Sequence, residues 1–366
     1  MTPVGYREIE RKYTLNADEL EGLQPELDRS PSARINQYYL NEASEPYELR
    51  LRRTTDELSS RIVATLKKGS PPDRLEMETP LKFETYDFWQ PQSTAEVTKI
   101  RTTLHKQGGH WAVDSFTQHD LCLLEAEGEA VELPSFGTDV TDNEQYTNFV
   151  LASGSVKPES VDTPYPLESL QRHIEHLASR TPRPLIIGVC GATASGKTTL
   201  ARQLAELWGD AAEIISQDDY YHGVTKMKQR FGADYQVNFD APDSLDLQLL
   251  AKHLGDLQDE TAVYRPTYSM ATSDPIPEYR YIDPQQKRVI FVEGIHILHA
   301  PITGWLDYSI FLDTPLATRV GRRLERDLKE GRSFKPEDNL RYLLEVAEPT
   351  FAKYKEQQAR VADIVL

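Results

Sequence analysis

A glycine-rich segment near the middle of the chain carries the residues that are best suited to chemistry. Residues 191–198 read Gly-Ala-Thr-Ala-Ser-Gly-Lys-Thr, which is the G-x-x-x-x-G-K-T spacing of a phosphate-binding loop, or P-loop. Glycine lets backbone N–H groups close around phosphate oxygens, and the following helix points the positive end of its dipole at them. At this spacing Lys197 reaches the β- and γ-phosphates of a nucleotide, and the Thr198 hydroxyl holds Mg²⁺. The predicted nucleotide-binding residues are Gly191, Ala192, Thr193, Ala194, Ser195, Gly196, Lys197, Thr198 and Thr199.

The elements on either side of this loop must position it. Residues 185–190 form an apolar run that suits a buried strand, and Leu200, Leu204 and Leu207 recur at helical spacing. Strand, loop and helix therefore agree with a P-loop. The alternative is a flexible Gly/Ser turn that contains an unrelated lysine.

Three acidic residues lie at the ends of other strand-like runs in the second half of the chain. Asp218 and Asp219 come just after the run 214–216, and Glu293 lies at the end of the apolar run 288–294. Strand-like and helical runs alternate here, which predicts a doubly wound parallel sheet whose ligand site lies at the carboxyl ends of the strands. A carboxylate at Asp218 or Asp219 can accept the proton of an attacking hydroxyl or help to hold Mg²⁺, and the Glu293 carboxylate would reach the metal directly or through water. A solvated turn is the alternative interpretation of Asp218.

A predicted helix after residue 315 carries four arginines. Their spacing places them on one face, where guanidinium groups can clamp phosphates whose charge spreads during transfer. We predict catalytic roles for Arg319 and Arg322. A solvated helix whose arginines pair with Glu325 and Asp327 would have a similar sequence. The polar residues 329–334 that follow are typical of a mobile lid.

In the first half of the chain, charged residues recur at strand spacing. Because strand side chains alternate between two faces, Glu8, Glu10 and Lys12 share one face. The same period relates Arg50 to Arg52, Glu76 to Glu78, Lys99 to Arg101 and Glu125 to Glu127, while Lys67 and Asp114 lie in comparable runs. A solvated face of an antiparallel sheet explains any single pair. Both signs on many strands instead predict a closed sheet whose lumen binds divalent cations through carboxylates and phosphate through basic groups.

This half resembles the CYTH, or triphosphate tunnel metalloenzyme, superfamily over about 145 residues. Residues 8–12 match its E-x-E-x-K signature, and the basic and acidic pairs follow in the family's order. The resemblance implies an antiparallel β-barrel tunnel for a tri- or polyphosphate substrate, with Mg²⁺ or Mn²⁺. It implies metal ligation by Glu8, Glu10, Glu125 and Glu127, and phosphate binding by Lys12, Arg50, Arg52, Lys67, Lys99 and Arg101.

The second half resembles the uridine kinase and phosphoribulokinase group of P-loop kinases over some 180 residues. The matching segments include the P-loop, residues 216–221 and 238–246, and Glu-Pro-Thr-Phe at 348–351. The resemblance implies Asp218 as general base, with Asp240 and Tyr268 lining the pocket of the phosphate acceptor. Since such kinases are often oligomeric, it also implies a homo-oligomer.

Two departures from this pattern concern the acceptor. The uridine kinase pattern has a histidine where this chain has Ser273, and a glutamine near the position of Tyr342. Because hydrogen bonds to such groups select the base, phosphate donation is expected to be intact while the acceptor is open.

The composition bounds the class of protein. The 366 residues carry a net charge of −17, which argues against nonspecific nucleic-acid or acidic-membrane binding. Neither an apolar run of the length of a membrane span nor a secretory signal is evident, so a cytoplasmic protein is expected. Cys122 and Cys190 are expected to be buried free thiols.

We predict a tunnel domain at residues 1–153, a linker with a short amphipathic helix at 154–184, and a kinase domain at 185–366. The leading function is ATP-dependent phosphorylation of a small-molecule hydroxyl, combined with binding or hydrolysis of a tri- or polyphosphate in the tunnel. In a second interpretation, the protein is mainly a pyrophosphate or triphosphate hydrolase, and its P-loop domain binds nucleotide and regulates it. In a third, the protein senses phosphate and both sites are catalytically idle.

Overall fold

The computed structural model describes residues 10–69, 75–128, 130–154, 167–330 and 335–366. The chain is divided between two compact units. Unit 1 comprises Met1–Val161 and Pro315–Arg341, and unit 2 comprises Asp162–Thr314 and Tyr342–Leu366. The division between the units falls inside the predicted linker, between Val161 and Asp162, and Pro315–Arg341 of the predicted kinase domain is grouped with the N-terminal residues.

Unit 1 contains a nine-stranded sheet in the order β5-β4-β3-β2-β6-β7-β8-β1-β9. Neighbouring strands pair antiparallel throughout, as predicted. The strands are β1 (Glu10–Thr14), β2 (Ser32–Tyr39), β3 (Tyr47–Thr55), β4 (Ser60–Lys68), β5 (Leu75–Pro80), β6 (Ala95–Lys106), β7 (Gly109–Phe116), β8 (Cys122–Glu127) and β9 (Thr138–Asp139). This order runs from one edge to another, so closure into a barrel stays a prediction.

Alternation along the strands separates an apolar face from a charged one. On β8, Leu124 and Ala126 join a cluster that helix α1 covers with Leu23, whereas Glu125 and Glu127 alternate with them. The described helices of unit 1 are α1 (Ala17–Leu27), α2 (Phe83–Trp89), α3 (Asn148–Ser153), α8 (Leu316–Lys329) and α9 (Pro336–Tyr342), numbered in chain order; the last residue of α9, Tyr342, belongs to unit 2. A period of two therefore buries one face and leaves the other for charged side chains.

Unit 2 is built on a five-stranded parallel sheet in the order β11-β14-β10-β15-β16. Its central strand is apolar on both faces, since Ile186 and Cys190 join one buried cluster and Ile187 and Val189 the other. Helices α7 and α10 cover the first cluster, and α4 and α5 cover the second. The predicted doubly wound parallel sheet is confirmed.

The elements of unit 2 have the following bounds. The sheet strands are β10 (Leu185–Gly191), β11 (Ala212–Ser216), β14 (Val289–Gly294), β15 (Tyr308–Leu312) and β16 (Ile364–Val365), and β12 (Val263–Ser269) and β13 (Asp274–Ile282) form a hairpin. The helices are α4 (Leu167–Arg180), α5 (Lys197–Ala205), α6 (Val224–Phe231), α7 (Leu247–Gln258) and α10 (Glu348–Val361).

Several local predictions can be compared with these elements. The amphipathic helix expected in the linker is α4, whose Leu170 and Ile174 are buried in the core of unit 2. Helix α5 ends at Ala205, so the expectation that Leu207 continues the helical spacing of Leu200 and Leu204 was wrong. The Leu207 side chain is 50% exposed. Both cysteines are buried and free. Among the described residues, no helix combines the length and apolarity needed to cross a membrane.

Candidate functional site

The P-loop links β10 to α5 in unit 2. Gly191 has φ +152°, and a Cβ at this position would lie 2.7 Å from the Leu312 carbonyl oxygen. Gly196 has φ +100° and precedes the first residue of α5. Both positions therefore need glycine, one for close approach and the other for a left-handed backbone. The loop is braced from outside by Thr314, whose hydroxyl donates to the Ser195 carbonyl over 2.9 Å.

Lys197 points into the loop. Its ammonium group donates to the Ala192 carbonyl over 2.7 Å, and its side chain is buried. Burying an ammonium group costs free energy unless a hydrogen-bond acceptor is present, and the Ala192 carbonyl provides one here. In a nucleotide complex, phosphate oxygens would accept these hydrogen bonds instead. Thr198 and Thr199 lie on the first turn of α5 and are exposed to solvent. The predicted P-loop geometry is thus present, while the roles of its residues stay predictions.

Two carboxylates lie at the carboxyl ends of β11 and β14. Glu293 is opposite Ser216 in the parallel register and accepts a hydrogen bond of 2.8 Å from the Ser216 hydroxyl. The same hydroxyl accepts from the backbone N–H of Asp218 over 3.4 Å. Strand β14 is the direct neighbour of β10, which leads into the P-loop. The structure therefore brings Asp218, Glu293 and the loop to one edge of the sheet, and the oxygen donors there suit Mg²⁺.

The neighbouring Asp219 has a different environment. Its carboxylate lies 3.0 Å from Arg265 in an ion pair, and Arg265 also donates to the Ile214 carbonyl. Burial raises the pKa of Asp219, and Arg265 opposes that rise. Asp219 is therefore held by a structural ion pair, which leaves Asp218 as the candidate base.

Aromatic hydroxyls surround the predicted acceptor position. Tyr342 donates to Oδ2 of Asp240 over 2.9 Å, and the rings of Tyr221 and Tyr268 are 5.3 Å apart. Burial raises the pKa of Tyr221, and Asp218 and Asp240 raise it further. Burial likewise raises the pKa of Tyr268 to about 12. Asp240 and Tyr268, the two residues predicted to line the acceptor pocket, thus both lie near Tyr221. The sequence analysis assigned no role to Tyr221.

Tyr342 directly precedes a π-helical turn at Leu343–Ala347 that joins α9 to α10. Such turns insert a residue into the helical ladder, are rare, and occur frequently at functional sites. Here the turn follows the residue that contacts Asp240, while Thr350 on α10 accepts a hydrogen bond of 2.9 Å from Asn238. Helical periodicity alone gives no signal for this turn.

The arginines of α8 fall into two groups. Arg323 and Arg326 lie 2.7 and 3.3 Å from the buried carboxylate of Asp327, which also accepts from Asn339. The ion-pair alternative therefore holds for Arg323 and Arg326. Arg319 is buried and Arg322 is exposed, and their catalytic roles stay predictions.

Unit 1 carries an ion-pair network on the charged face of β1, β8, β7 and β6. Lys12 lies 3.0 Å from Glu10 and 3.3 Å from Glu125. Arg101 pairs with Asp114, Glu125 and Glu127, and Lys99 pairs with the same buried Asp114. The predicted pairs therefore do share one face, and most of their charge is balanced within the network.

A second group lies on β3, β4 and β5. Arg52 is 3.2 Å from Glu78, which also accepts from the Thr65 hydroxyl, and Lys67 is 2.8 Å from Glu76. Burial lowers the pKa of Arg52, and the charges of Arg50 and Arg101 lower it further. The two groups lie on the same sheet, with β2 between β3 and β6.

The pKa shifts in this network follow from burial and charge. Burial would raise the pKa of Glu125, but Lys99, Lys12 and Arg101 hold it well below its ordinary value. Burial lowers the pKa of Lys99. Within the described ranges, no three His, Cys, Asp or Glu side chains are grouped so as to hold a metal ion. Glu8, one of the predicted metal ligands, lies outside the described residues.

Comparison with known proteins bears on the second half of the chain. An inorganic triphosphatase of known structure is 24% identical with a TM-score of 0.29, over 41% of this chain and 96% of that one, a likeness too weak to support an argument. The uridine kinase of Ligilactobacillus salivarius is 34% identical over 193 residues, which are 52% of this chain and 88% of that protein. A uridine kinase of Clostridium perfringens is 33% identical over 187 residues, or 50% of this chain and 87% of that protein. Residues 186–366 match the model of the phosphoribulokinase / uridine kinase family, and the chain therefore belongs to this family.

Proposed function

We propose that the chain transfers the γ-phosphoryl group of ATP to a hydroxyl group of a small molecule. The observation that carries the proposal is the meeting of the P-loop, Asp218 and Glu293 at one edge of the parallel sheet. Membership of a kinase family supports the same reaction. Because relatives are named uridine kinases, a nucleoside is the first acceptor to test.

Each predicted residue has a distinct role in the proposed reaction. Asp218 accepts the proton as the acceptor oxygen forms its bond to the γ-phosphorus and the bond to the β–γ bridging oxygen breaks. Lys197, Arg319 and Arg322 stabilise the negative charge that spreads over the phosphoryl oxygens. Thr198 and Glu293 would hold Mg²⁺, which neutralises phosphate charge when it is bound.

The acceptor pocket contains Asp240 and Tyr268, and Tyr342 adds a hydroxyl group that contacts Asp240. His296 supports the same segment, since its Nε2 donates to the Asp240 carbonyl over 2.8 Å. This arrangement suits an acceptor that presents hydroxyl groups to a carboxylate. Serine and tyrosine at positions 273 and 342 change the hydrogen-bonding groups that would select a base.

Phosphorus NMR of the purified chain with ATP, Mg²⁺, uridine and cytidine tests this function. We expect ADP and a nucleoside monophosphate to increase together. Lys197→Ala and Asp218→Asn should each abolish this coupled increase, whereas Lys226→Ala, an exposed lysine outside the proposed site, should not. Undiminished transfer by the Lys197 or Asp218 variant would contradict the mechanism.

We further propose that the charged face of unit 1 binds or hydrolyses a tri- or polyphosphate with Mg²⁺ or Mn²⁺. The supporting observation is the buried ion-pair network, in which carboxylates and basic groups neutralise one another. A metal–phosphate complex carries both kinds of partner, so it can replace these internal pairs. In this proposal the carboxylates predicted as metal ligands bind the cation, and the basic side chains predicted as phosphate ligands bind the phosphate oxygens.

Tripolyphosphate distinguishes this combined function from its alternative, a hydrolase that the P-loop domain only regulates. A Glu8→Ala, Glu10→Ala protein should lose release of orthophosphate from tripolyphosphate while it keeps transfer from ATP to the acceptor. Hydrolysis by the wild type that this variant loses, with no transfer from ATP by either protein, would favour the alternative. Retention of full hydrolysis would remove unit 1 as the hydrolytic site.

A further inference from the structure

Helix α8, which carries Arg319, begins without a cap of its own. Its N-cap residue is Pro315, and no side-chain hydrogen bond from that residue closes the helix. The first N–H groups of a helix have no partner within it, so a buried helix start needs an acceptor from elsewhere. Glu45 supplies one, because its Oε2 accepts from the Thr318 backbone N–H over 2.9 Å and from the Thr318 hydroxyl over 3.0 Å.

Glu45 is itself fixed in place. It lies in the connection between β2 and β3, it is 7% exposed, and its Oε1 accepts from the Glu42 backbone N–H over 3.0 Å. One oxygen therefore holds the connection, and the other holds the helix. Burial raises the pKa of Glu45, whereas the Glu42 and Thr318 donors favour its ionised form. A carboxylate at this point also meets the positive end of the helix dipole.

Two more contacts of unit 1 hold the same helix. A Cβ at Gly321 would lie 2.2 Å from the ring of Tyr47, so the helix backbone packs directly on that ring. Further along, Glu325 lies 2.7 Å from Lys68, which also donates to the Tyr47 hydroxyl over 3.2 Å. Three successive turns of α8 are thus held by residues of β3, β4 and the connection before β3.

These contacts are made by a helix that lies within the family match at residues 186–366. We infer that Glu45 is a positioning residue for phosphoryl transfer, which fixes the first turn of α8 and thereby the side chain of Arg319. The inference rests on the proposed kinase function. Arg319 follows Thr318 directly, so a shift of this turn moves the guanidinium group with it. A displacement of about 1 Å at a transferring group can reduce a rate by about 100-fold.

Steady-state kinetics of the full chain with ATP and uridine test the inference. Glu45→Ala should lower kcat by roughly 10- to 100-fold and change KM for the acceptor much less. Glu45→Gln keeps one acceptor oxygen for Thr318 but turns its NH2 group toward the Glu42 N–H, so we expect it to recover part of the activity. Glu42→Gln, an exposed change in the same connection, should behave as the wild type.

A double-mutant cycle separates positioning from a general loss of structure. If Glu45 acts through Arg319, then Glu45→Ala should cause little further loss of single-turnover rate in an Arg319→Ala background. The number of nucleotide sites per chain, measured by titration with a non-hydrolysable ATP analogue, should stay the same in all variants.

Three outcomes would overturn the inference. Wild-type kinetics in Glu45→Ala, or an equal loss of rate with and without Arg319, would each refute it while the kinase function stood. A loss of nucleotide sites in Glu45→Ala would assign the residue to folding instead. Absence of ADP and nucleoside monophosphate formation by the wild type would refute the proposed function, and the inference with it.

Discussion

Gly321 lies in the middle of α8, where the ring of Tyr47 packs against the helix backbone. In an exposed helix interior, replacing glycine with alanine stabilises by about 1 kcal/mol, because glycine loses more backbone entropy on folding. At Gly321 the added methyl group would lie 2.2 Å from Cδ1 and Cε1 of Tyr47. Ordinary carbon contacts are 3.4–4 Å, so the ring or the helix must move by more than an ångström.

The magnitude follows from these opposing effects. Overpacking of a buried site costs about 1–3 kcal/mol, and the gain in helix propensity offsets about 1 kcal/mol of it. Tyr47 is 3% exposed and is also held by Lys68, so the ring has little room to withdraw. We expect Gly321→Ala to destabilise unit 1 by up to about 2 kcal/mol, which is a decrease of up to about 8 °C in Tm.

Differential scanning calorimetry of matched variants measures this effect. Gly22 is the control, because it lies in α1 of the same unit and a Cβ there would meet nothing within 4 Å. Gly22→Ala should raise the Tm of unit 1. In a Tyr47→Ala background, Gly321→Ala should lose its destabilising effect. A rise in Tm for Gly321→Ala in the wild-type background would refute the packing argument.

Two further predictions concern unit 2. Burial lowers the pKa of His296 from 6.5 to about 4, so the unfolded chain binds more protons than the folded chain between these pH values. The free energy of unfolding should therefore fall by roughly 3 kcal/mol as pH decreases through this window. Denaturant unfolding of His296→Gln should show a weaker pH dependence than that of the wild type. An unchanged pH profile would contradict this assignment. Tyr342→Phe removes a hydrogen bond to a carboxylate, which should lower kcat/KM for the acceptor about tenfold and leave KM for ATP unchanged; equal effects on both substrates would argue against a role in the acceptor pocket.

Much of the fold was predictable because its signals are local. The P-loop spacing, the apolar strand β10, the amphipathic helix α4 and the spacing of Leu200 and Leu204 in α5 are each set by nearby residues, and the structure confirms these elements. The period of two in the first half likewise predicted antiparallel strands with one charged face. Backbone geometry imposes these periods on any sequence that buries one face of an element.

The candidate site was predictable only in part. Parallel strands must bring their carboxyl ends to one edge, so the placement of Asp218 and Glu293 followed from their positions after strands. The partners of the arginines did not follow, because helical spacing is the same for a phosphate clamp and for ion pairs. Only the tertiary structure showed that Arg323 and Arg326 pair with Asp327.

Sequence alone therefore determined the types of element, their order and the chemistry of the phosphate-binding loop. Tertiary structure decided which distant residues meet. Tyr342 and Asp240 are 102 residues apart, and Thr318 and Glu45 are 273 residues apart. Such contacts depend on how whole elements pack, whereas spacing along the chain reports only the few residues that one helical turn or one strand repeat brings together.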